Sequence, residues 1–410
     1  MDIPDIKEKG GMFDMKILFI VDMDENNKSG LFIATHNRIK VLTNDFRDNK
    51  VEVFCLNMYD NRVLSLLKKF LKRKVVEKRE SSFEYDGIFY KNIYIKNTIL
   101  NMILSNFGLD SRQYRKVFKG INTEKYDVIS AHWGHPQGSL AYHFNKNNSI
   151  PYTLTLHGSD IHTVPYKNKT FRRLVVRNMN NANAVFFVSQ QLQRDAEKIG
   201  WDSTSQKGYV SYNAIDKKIF YPLSTHEIKI IKERENTKSK IVGFIGNLVP
   251  IKRAEHLIEI FKSIQFLIQE SVTFYIIGKG LFKEFLIKSA EKEKIDIRII
   301  DPVSQDELRE YLNIMDCLIL PSRNEGTPNI ILESQSCGTP VVATNVGGVS
   351  EIIHNREYLV NNNDETLYLE FAKKVKIVLD KGERIGFESL SWKEIVKREL
   401  EVFESCIISK

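Results

Sequence analysis

The sequence predicts an α/β protein built from two doubly wound parallel sheets. Three observations carry that expectation: short apolar runs alternate with longer helical patterns, the alternation stops and restarts, and a polar, charged stretch at residues 221–240 separates the two series. Strand–helix alternation of this kind places helices over both faces of a parallel sheet, and two series give two such domains.

The first series comprises "KILFIV" (16–21), "VEVFC" (51–55), "DVISA" (127–131), "YTLTL" (152–156) and "AVFFV" (184–188). The second comprises "KIVGFIG" (240–246), "VTFYIIG" (272–278), "IRII" (297–300), "CLIL" (317–320) and "PVVAT" (340–344). The expected domains are therefore 1–221 and 222–390, with 221–240 as the linker. A final segment, 391–410, opens with "SWKEIVKRELEVFES", whose Trp392, Ile395, Val396, Leu400 and Phe403 share one helical side and suit a brace that packs back towards the first domain. No repeat of solenoid period and no low-complexity tract interrupts this plan.

With 410 residues, 42% apolar and 27% charged, the chain can bury two ordinary cores, and disorder is not expected. No stretch approaches the roughly 18 uninterrupted apolar residues of a membrane span. The start "MDIPDIKEKGG" lacks the basic region and apolar core of a signal peptide, so the cytoplasm is the expected compartment. Cys55, Cys317, Cys337 and Cys406 are far apart and form no CxxC pair, which points away from a zinc site or a disulfide framework.

The net charge of +8 is uneven: residues 1–221 hold 34 Lys and Arg against 23 Asp and Glu, so the first half is the basic half. Its richest piece is "RVLSLLKKFLKRKVVEKR", residues 62–79. Val63, Leu67, Phe70 and Leu71 fall on one helical stripe there, flanked by Lys68, Lys69, Lys72 and Arg73, the pattern of a helix lying on an anionic membrane surface. Packing of that stripe on the domain core is the alternative. Nucleic acid is not an expected partner, because no helix-turn-helix, RRM or zinc-finger pattern accompanies the charge.

"NEGTPNIILESQSCGTPVVAT", residues 324–344, places Glu325 and Glu333 eight positions apart, with Thr327 and Pro328 just after the first. Proline suits the first helical position, where its missing N–H would be unpaired anyway, so a helix is expected to begin at Pro328 with Thr327 as its cap. Glu325 then lies in the loop and Glu333 on the second turn, within reach of one ligand. Amides at 328–330 and the positive end of the helix dipole suit a phosphate or diphosphate. A helix start with two solvated glutamates is the plainer alternative.

Ligands of open α/β sheets bind outside the carboxyl ends of the strands, which directs attention to the loops "KSGLF", "HWGHPQG", "LHGSD", "GNLVPIK" and "NEGTP". Together these resemble family 4 of the retaining glycosyltransferases, whose two Rossmann-like domains face across a cleft in the arrangement called GT-B. The resemblance runs from Met15 to the tryptophan helix. "EGTPNIILE" is similar to the family's Ex7E signature, "SCGTPVVATNVGGVSEII" (336–353) continues it, "LHGSDI" (156–161) matches the HGxD loop, and "SYNAIDKKIFYP" (211–222) resembles an Asn-Gly-x-Asp segment. "HWGHPQG" with these loops looks closest to bacterial members that build cell-surface polysaccharides or teichuronic acids.

The resemblance implies a nucleotide sugar as donor, with UDP the expected carrier, held mainly by the second domain without a metal or other cofactor. Lys252 is expected at the diphosphate. Where relatives carry arginine this chain has Asn247, so Arg253 or Arg323 is the candidate replacement charge. Glu333 is expected to accept hydrogen bonds from ribose hydroxyls. Glu325 is expected to orient the transferred sugar and stabilise its developing positive charge, and the amides of Gly326 and Thr327 to hold diphosphate oxygens. In the first domain Gly30, following Ser29, corresponds to a glycine-rich turn near the phosphates. His157 should reach the donor, Asp160 should shape the acceptor loop, and His132 and His135 should line the acceptor side. The implied reaction retains anomeric configuration by same-face attack. Its acceptor would be lipid-linked or glycan, at the inner face of the plasma membrane. Transfer to a small soluble acceptor and a catalytically weakened binding partner are the alternatives.

Two motifs read as decoys. Asp22 and Asp24 form a DxD, but in a chain whose other loops fit GT-B they are expected to be ordinary loop carboxylates. His132 and His135 form HxxH without the glutamate and third ligand of a zinc site.

Overall fold

The computed structural model describes residues 14–25, 30–79, 82–122, 125–384 and 390–408. The acidic start and Ser29 lie outside them. The chain divides into two compact units, Met1–Tyr212 together with Trp392–Lys410, and Asn213–Ser391. The division falls nine residues before the expected 221, because Asn213 bonds Thr327 and Asn329 and Phe220 packs with Leu312 and Cys337 of the second unit, and the expected linker contains a helix of that unit. Thr225–Arg234 begins with a capping box in which the Ser224 side chain and Glu227 satisfy each other's backbone amides.

Among the described residues the N-terminal unit contains eight strands: β1 (Lys16–Val21), β2 (Lys50–Asp60), β3 (Phe83–Tyr85), β4 (Ile88–Asn97), β5 (Val128–His132), β6 (Tyr152–Leu156), β7 (Ala184–Phe187) and β8 (Gly208–Val210). Their order is β3-β4-β2-β1-β5-β6-β7-β8. All pairs are parallel except β3 with β4. β1 is central, Ile17 pairing with Val51 on one side and Val128 on the other. Its uninterrupted apolar run is buried from Ile17 onward, as a strand covered by helices on both faces must be. The β3–β4 hairpin was not expected from the sequence. Its signal is Asp86-Gly87, both at positive φ, the two-residue turn that matches strand twist.

The second unit contains β9 (Lys240–Ile245), β10 (Val272–Ile277), β11 (Ile297–Ile300), β12 (Cys317–Leu320), β13 (Val341–Thr344) and β14 (Leu359–Val360), in the order β11-β10-β9-β12-β13-β14 and all parallel. The chain reverses its winding direction at β9, so the loops after β9 and β12 flank a switch point, where such sheets bind ligands. The final helix, Trp392–Ile408, belongs to the first unit and buries Trp392, Ile395, Val396, Leu400 and Phe403.

Candidate functional site

In the second unit the site is built on the loops that leave β9 and β12. After β9 the chain enters a short 3-10 turn, Pro250–Lys252. The Arg323 amide donates to Ile251 O at 2.8 Å and ties that turn to the loop after β12. This brings Lys252 Nζ to 2.5 Å from Glu325 Oε1, in a pair whose side chains are only 23% and 10% exposed. A charge pair so withdrawn from water interacts more strongly than a surface pair. Loop 345–348 supports Glu325 from behind. Gly347 has φ +54°, and a Cβ there would fall 1.8 Å from Glu325 O. The Gly348 amide donates to Gly326 O at 2.9 Å.

The helix after this loop runs Asn329–Ser336, one residue later than expected, with Pro328 at its N-cap in an extended conformation and no side-chain cap. Thr327 is buried and is not the cap. Proline also supplies no amide, so the first-turn donors begin at Asn329. The Ile331 amide donates to Pro328 O at 3.1 Å, and the positive end of the helix dipole suits this end to an anion. Asn213 fixes the helix entrance, its Nδ2 donating to Thr327 O at 3.1 Å and Asn329 Oδ1 at 2.8 Å. The sequence signalled this segment without revealing that role.

Glu333 lies on the second turn, half-buried, and is the unusual carboxylate of the unit. Burial pushes it up to about 7, and among the described residues no cation or amide offsets the loss of water. It is an acceptor awaiting donors.

Neither proposed replacement cation is available. Arg253 is buried at 3%, donating to Pro321 O, Ser322 O, Asn362 and Asp364, so it staples two loops. Arg323 contacts Asp364, Glu255 and His256. Asn247 is exposed and neutral.

In the first unit the loops after β5 and β6 come together around Asp160. Its carboxylate accepts the amides of Gly134, His157 and Gly158 at 2.9–3.2 Å, bonding both loops at once. Burial raises this carboxyl to about 6 against those three amides. Fully enclosed, it shapes the loops and does not itself face an acceptor. His132, expected on the acceptor side, is only 3% exposed, and its Nδ1 lies 3.1 Å from His157 Nε2 with the rings stacked. Burial lowers both imidazoles, His157 to about 3, so the pair is neutral near pH 7 and one ring donates to the other. His157 is the half-buried member, the one nearer solvent. His135 bonds Ser139 Oγ at 2.8 Å instead, so HxxH does not converge on one point. Between them Trp133 sits at φ +98°, a costly conformation for a bulky residue and one that gathers at functional loops. Gly30 is exposed and opens the helix Gly30–Asp45 after β1.

The DxD carboxylates are engaged by Arg79, at 2.7 Å from Asp22 and 3.5 Å from Asp24. Among the described residues no cluster of His, Cys, Asp and Glu could hold a metal ion.

The basic segment forms the helix Arg62–Phe70, shorter than expected, and Lys72 and Arg73 follow it. Leu64 is its buried residue, while Val63, Leu66, Leu67 and Phe70 are exposed, Phe70 by 85%. The apolar stripe therefore faces away from the core. Lys68 is not a free cation: its Nζ lies 2.7 Å from the buried carboxylate of Asp60. A second apolar helix, Ile99–Asn106, leaves the end of the neighbouring strand β4 and buries none of its residues. Strand ends and helices are joined there, the Asn61 amide donating to Asn97 O at 3.0 Å and Asn97 Nδ2 to Asp60 at 3.2 Å. No helix among the described residues is long and apolar enough to cross a membrane.

Comparison with known proteins matches residues 62–218 to Glycosyltransferase Family 4 and residues 226–384 to Glycosyl transferases group 1. TuaC of Bacillus subtilis, provisionally named a teichuronic acid biosynthesis glycosyltransferase, is 29% identical over 245 residues, 57% of either chain. N-acetyl-alpha-D-glucosaminyl L-malate synthase of Bacillus anthracis is 25% identical over 68% of this chain and 73% of its own. Among solved structures, Anabaena Alr3699/HepE in complex with UDP-glucose superposes with a TM-score of 0.65 at 18% identity, covering 96% of this chain and 98% of that one. With both halves matched in order and two parallel α/β units in place, the chain belongs to the group 1 glycosyltransferases and has the GT-B fold.

Proposed function

We propose that the protein is a retaining, family 4 glycosyltransferase that moves a sugar from a UDP-linked donor to a lipid-linked or glycan acceptor in bacterial cell-surface polysaccharide synthesis. The single observation that carries this reading is the grouping of Lys252, Glu325 and the unpartnered Glu333 around an uncapped helix start at the switch point of a parallel sheet. A nucleoside diphosphate sugar has matching parts: anionic phosphates for Lys252 and the helix amides, vicinal ribose hydroxyls for Glu333, and sugar hydroxyls for Glu325. That HepE binds UDP-glucose on the same fold supports it.

The chemistry follows from these groups. The bond from the anomeric carbon to the diphosphate breaks as the acceptor oxygen attacks the same face, and the departing diphosphate takes the acceptor's proton. Lys252 and the amides offset the leaving group's growing charge, so the reaction as proposed needs no metal. Glu325 stabilises the oxocarbenium-like carbon. The likeness to the malate synthase supports a second reading, transfer to a small soluble acceptor.

The test is UDP affinity against pH. Hydroxyl donors favour ionised Glu333, so binding releases its proton. With a free-state value of about 7, UDP binds about tenfold tighter at pH 8 than at pH 6. Glu333→Gln removes that dependence and weakens binding at pH 8. The folded protein holds this proton and the unfolded chain, titrating near 4.5, does not, so Glu333 makes stability fall as pH rises from about 4.5 to about 7. Glu333→Gln therefore makes the ligand-free protein more stable at pH 8 by ~1–3 kcal/mol. A flat affinity profile in the wild type refutes this assignment.

Docking at the inner membrane face is the other part of the proposal. The helices Arg62–Phe70 and Ile99–Asn106 present Phe70, Ile103 and, just beyond the second, Phe107, beside Lys69, Lys72 and Arg73. On anionic lipid each cation contributes about 1 kcal/mol, and each buried phenylalanine about 2 kcal/mol. Phe70→Ser with Phe107→Ser should reduce sedimentation with anionic vesicles more than tenfold, and neutral vesicles should bind poorly. Unchanged sedimentation sinks the membrane proposal and favours a soluble acceptor.

A further inference from the structure

The loops at the carboxyl ends of β9, β10 and β12 contain four cations, and three are committed within the protein. Lys252 is paired with Glu325, Arg253 is folded against Pro321 and Asp364, and Arg323 is held by Asp364 and Glu255. The fourth, Lys279, is exposed and has no carboxylate partner among the described residues.

Its position is fixed by the backbone. The β9–β10 register, with Ile245 beside Ile277, continues past the strands to a bridge between Leu248 and Gly280. The Gly246 amide donates to Ile277 O at 3.0 Å and the Leu248 amide to Lys279 O at 2.9 Å. Residue 279 is therefore the register neighbour of residue 247, about 4.8 Å away along the sheet. Glycines on both sides allow this approach, since a Cβ at Gly278 would lie 2.0 Å from Gly246 O and one at Gly280 2.4 Å from Leu248 O. The loop holds a flexible, uncommitted ammonium beside an exposed, neutral asparagine.

We infer that Lys279 is a binding residue for the donor diphosphate, supplying from β10 the positive charge that Asn247 on β9 does not. The inference rests on the nucleotide-sugar reading and adds a residue to it. A dianionic diphosphate calls for more than one cation, and Lys252 must share its charge with Glu325. Lys279 can come within reach of the second phosphate over the Asn247 side chain, without breaking any ion pair.

Titration of the full chain with UDP and with uridine, followed by thermal shift or calorimetry, tests this. Lys279→Ala should weaken UDP about tenfold and leave uridine unchanged, because a charge-assisted contact to phosphate is lost and nothing at the nucleoside moves. Lys279→Arg should keep UDP affinity, and adding Asn247→Arg to Lys279→Ala should restore most of the loss by placing the charge on the neighbouring strand. Unchanged UDP affinity in Lys279→Ala overturns the inference while leaving the nucleotide reading standing. An equal loss for uridine also overturns it, since the effect would not depend on phosphate. A wild-type protein that binds no UDP at all removes both.

Discussion

Arg38→Met should lower the stability of the N-terminal unit by ~3–5 kcal/mol and its melting temperature by on the order of 10 °C. Arg38 is 1% exposed. Its Nε donates to Glu399 at 3.0 Å, Nη1 to Ala34 O at 3.2 Å, and Nη2 to Ser211 O and Tyr212 O at 3.2 and 3.3 Å. The guanidinium also stacks 4.9 Å from the Trp392 ring. One side chain thereby binds the helix after β1, the last residues of the unit's first segment and the start of the returning C-terminal helix. Removing it strands the buried Glu399 carboxylate, which among the described residues keeps Ser211 Oγ as a donor at 2.5 Å. Stability then falls through an uncompensated charge more than through lost packing. Arg38→Met with Glu399→Met separates the two causes. If stranded charge dominates, the double variant melts well above the single one, because no charge remains to be desolvated. A loss under about 1 kcal/mol in Arg38→Met, the size of a surface pair, would show that the node carries little.

That node also marks the limit of what the sequence discloses. Strands β1, β6, β11 and β12 appear in the sequence with the bounds found in the structure; β1 and β12 are continuous apolar runs because both their faces are covered, whereas β6 is buried with two threonines in it and β11, at the sheet edge, is only half-buried. The C-terminal helix is equally legible from its spacing, yet its Glu399 sits on the buried side and its partner lies 361 positions away, where no local pattern reaches. Thr225–Arg234 was hidden for the opposite reason. A mostly exposed helix has little apolar periodicity, and its capping box, Ser224 to Glu227, was the available sign. Within the site, Glu325, Glu333 and Lys252 could be named from spacing and resemblance. The commitments of Arg253 and Arg323 could not, because they depend on Asp364, on a distant loop. Asp160 illustrates both sides: the motif located it, but only the folded loops show that its oxygens are used on backbone amides.

Glu325→Gln should reduce turnover about 10²- to 10³-fold while leaving UDP affinity equal to or better than that of the wild type. In the free protein Lys252 is held at 2.5 Å by Glu325, so a diphosphate must compete with that carboxylate for the ammonium. Glutamine keeps the shape and one hydrogen-bonding oxygen but not the charge. Lys252 is then free for the phosphates, and ground-state binding does not suffer. On the proposed reading, what is lost is the negative charge beside the anomeric carbon, which matters only as positive charge develops there, and an interaction present only in the transition state appears in turnover and not in affinity. Lys252→Met should behave differently, losing UDP affinity and turnover together and leaving Glu325 an unpaired carboxylate near the phosphates. UDP release from a panel of nucleotide sugars measures the first quantity, and UDP titration the second. If Glu325→Gln keeps more than about a tenth of wild-type turnover, the carboxylate is a structural partner of Lys252 and the charge that stabilises the sugar must come from elsewhere in the site.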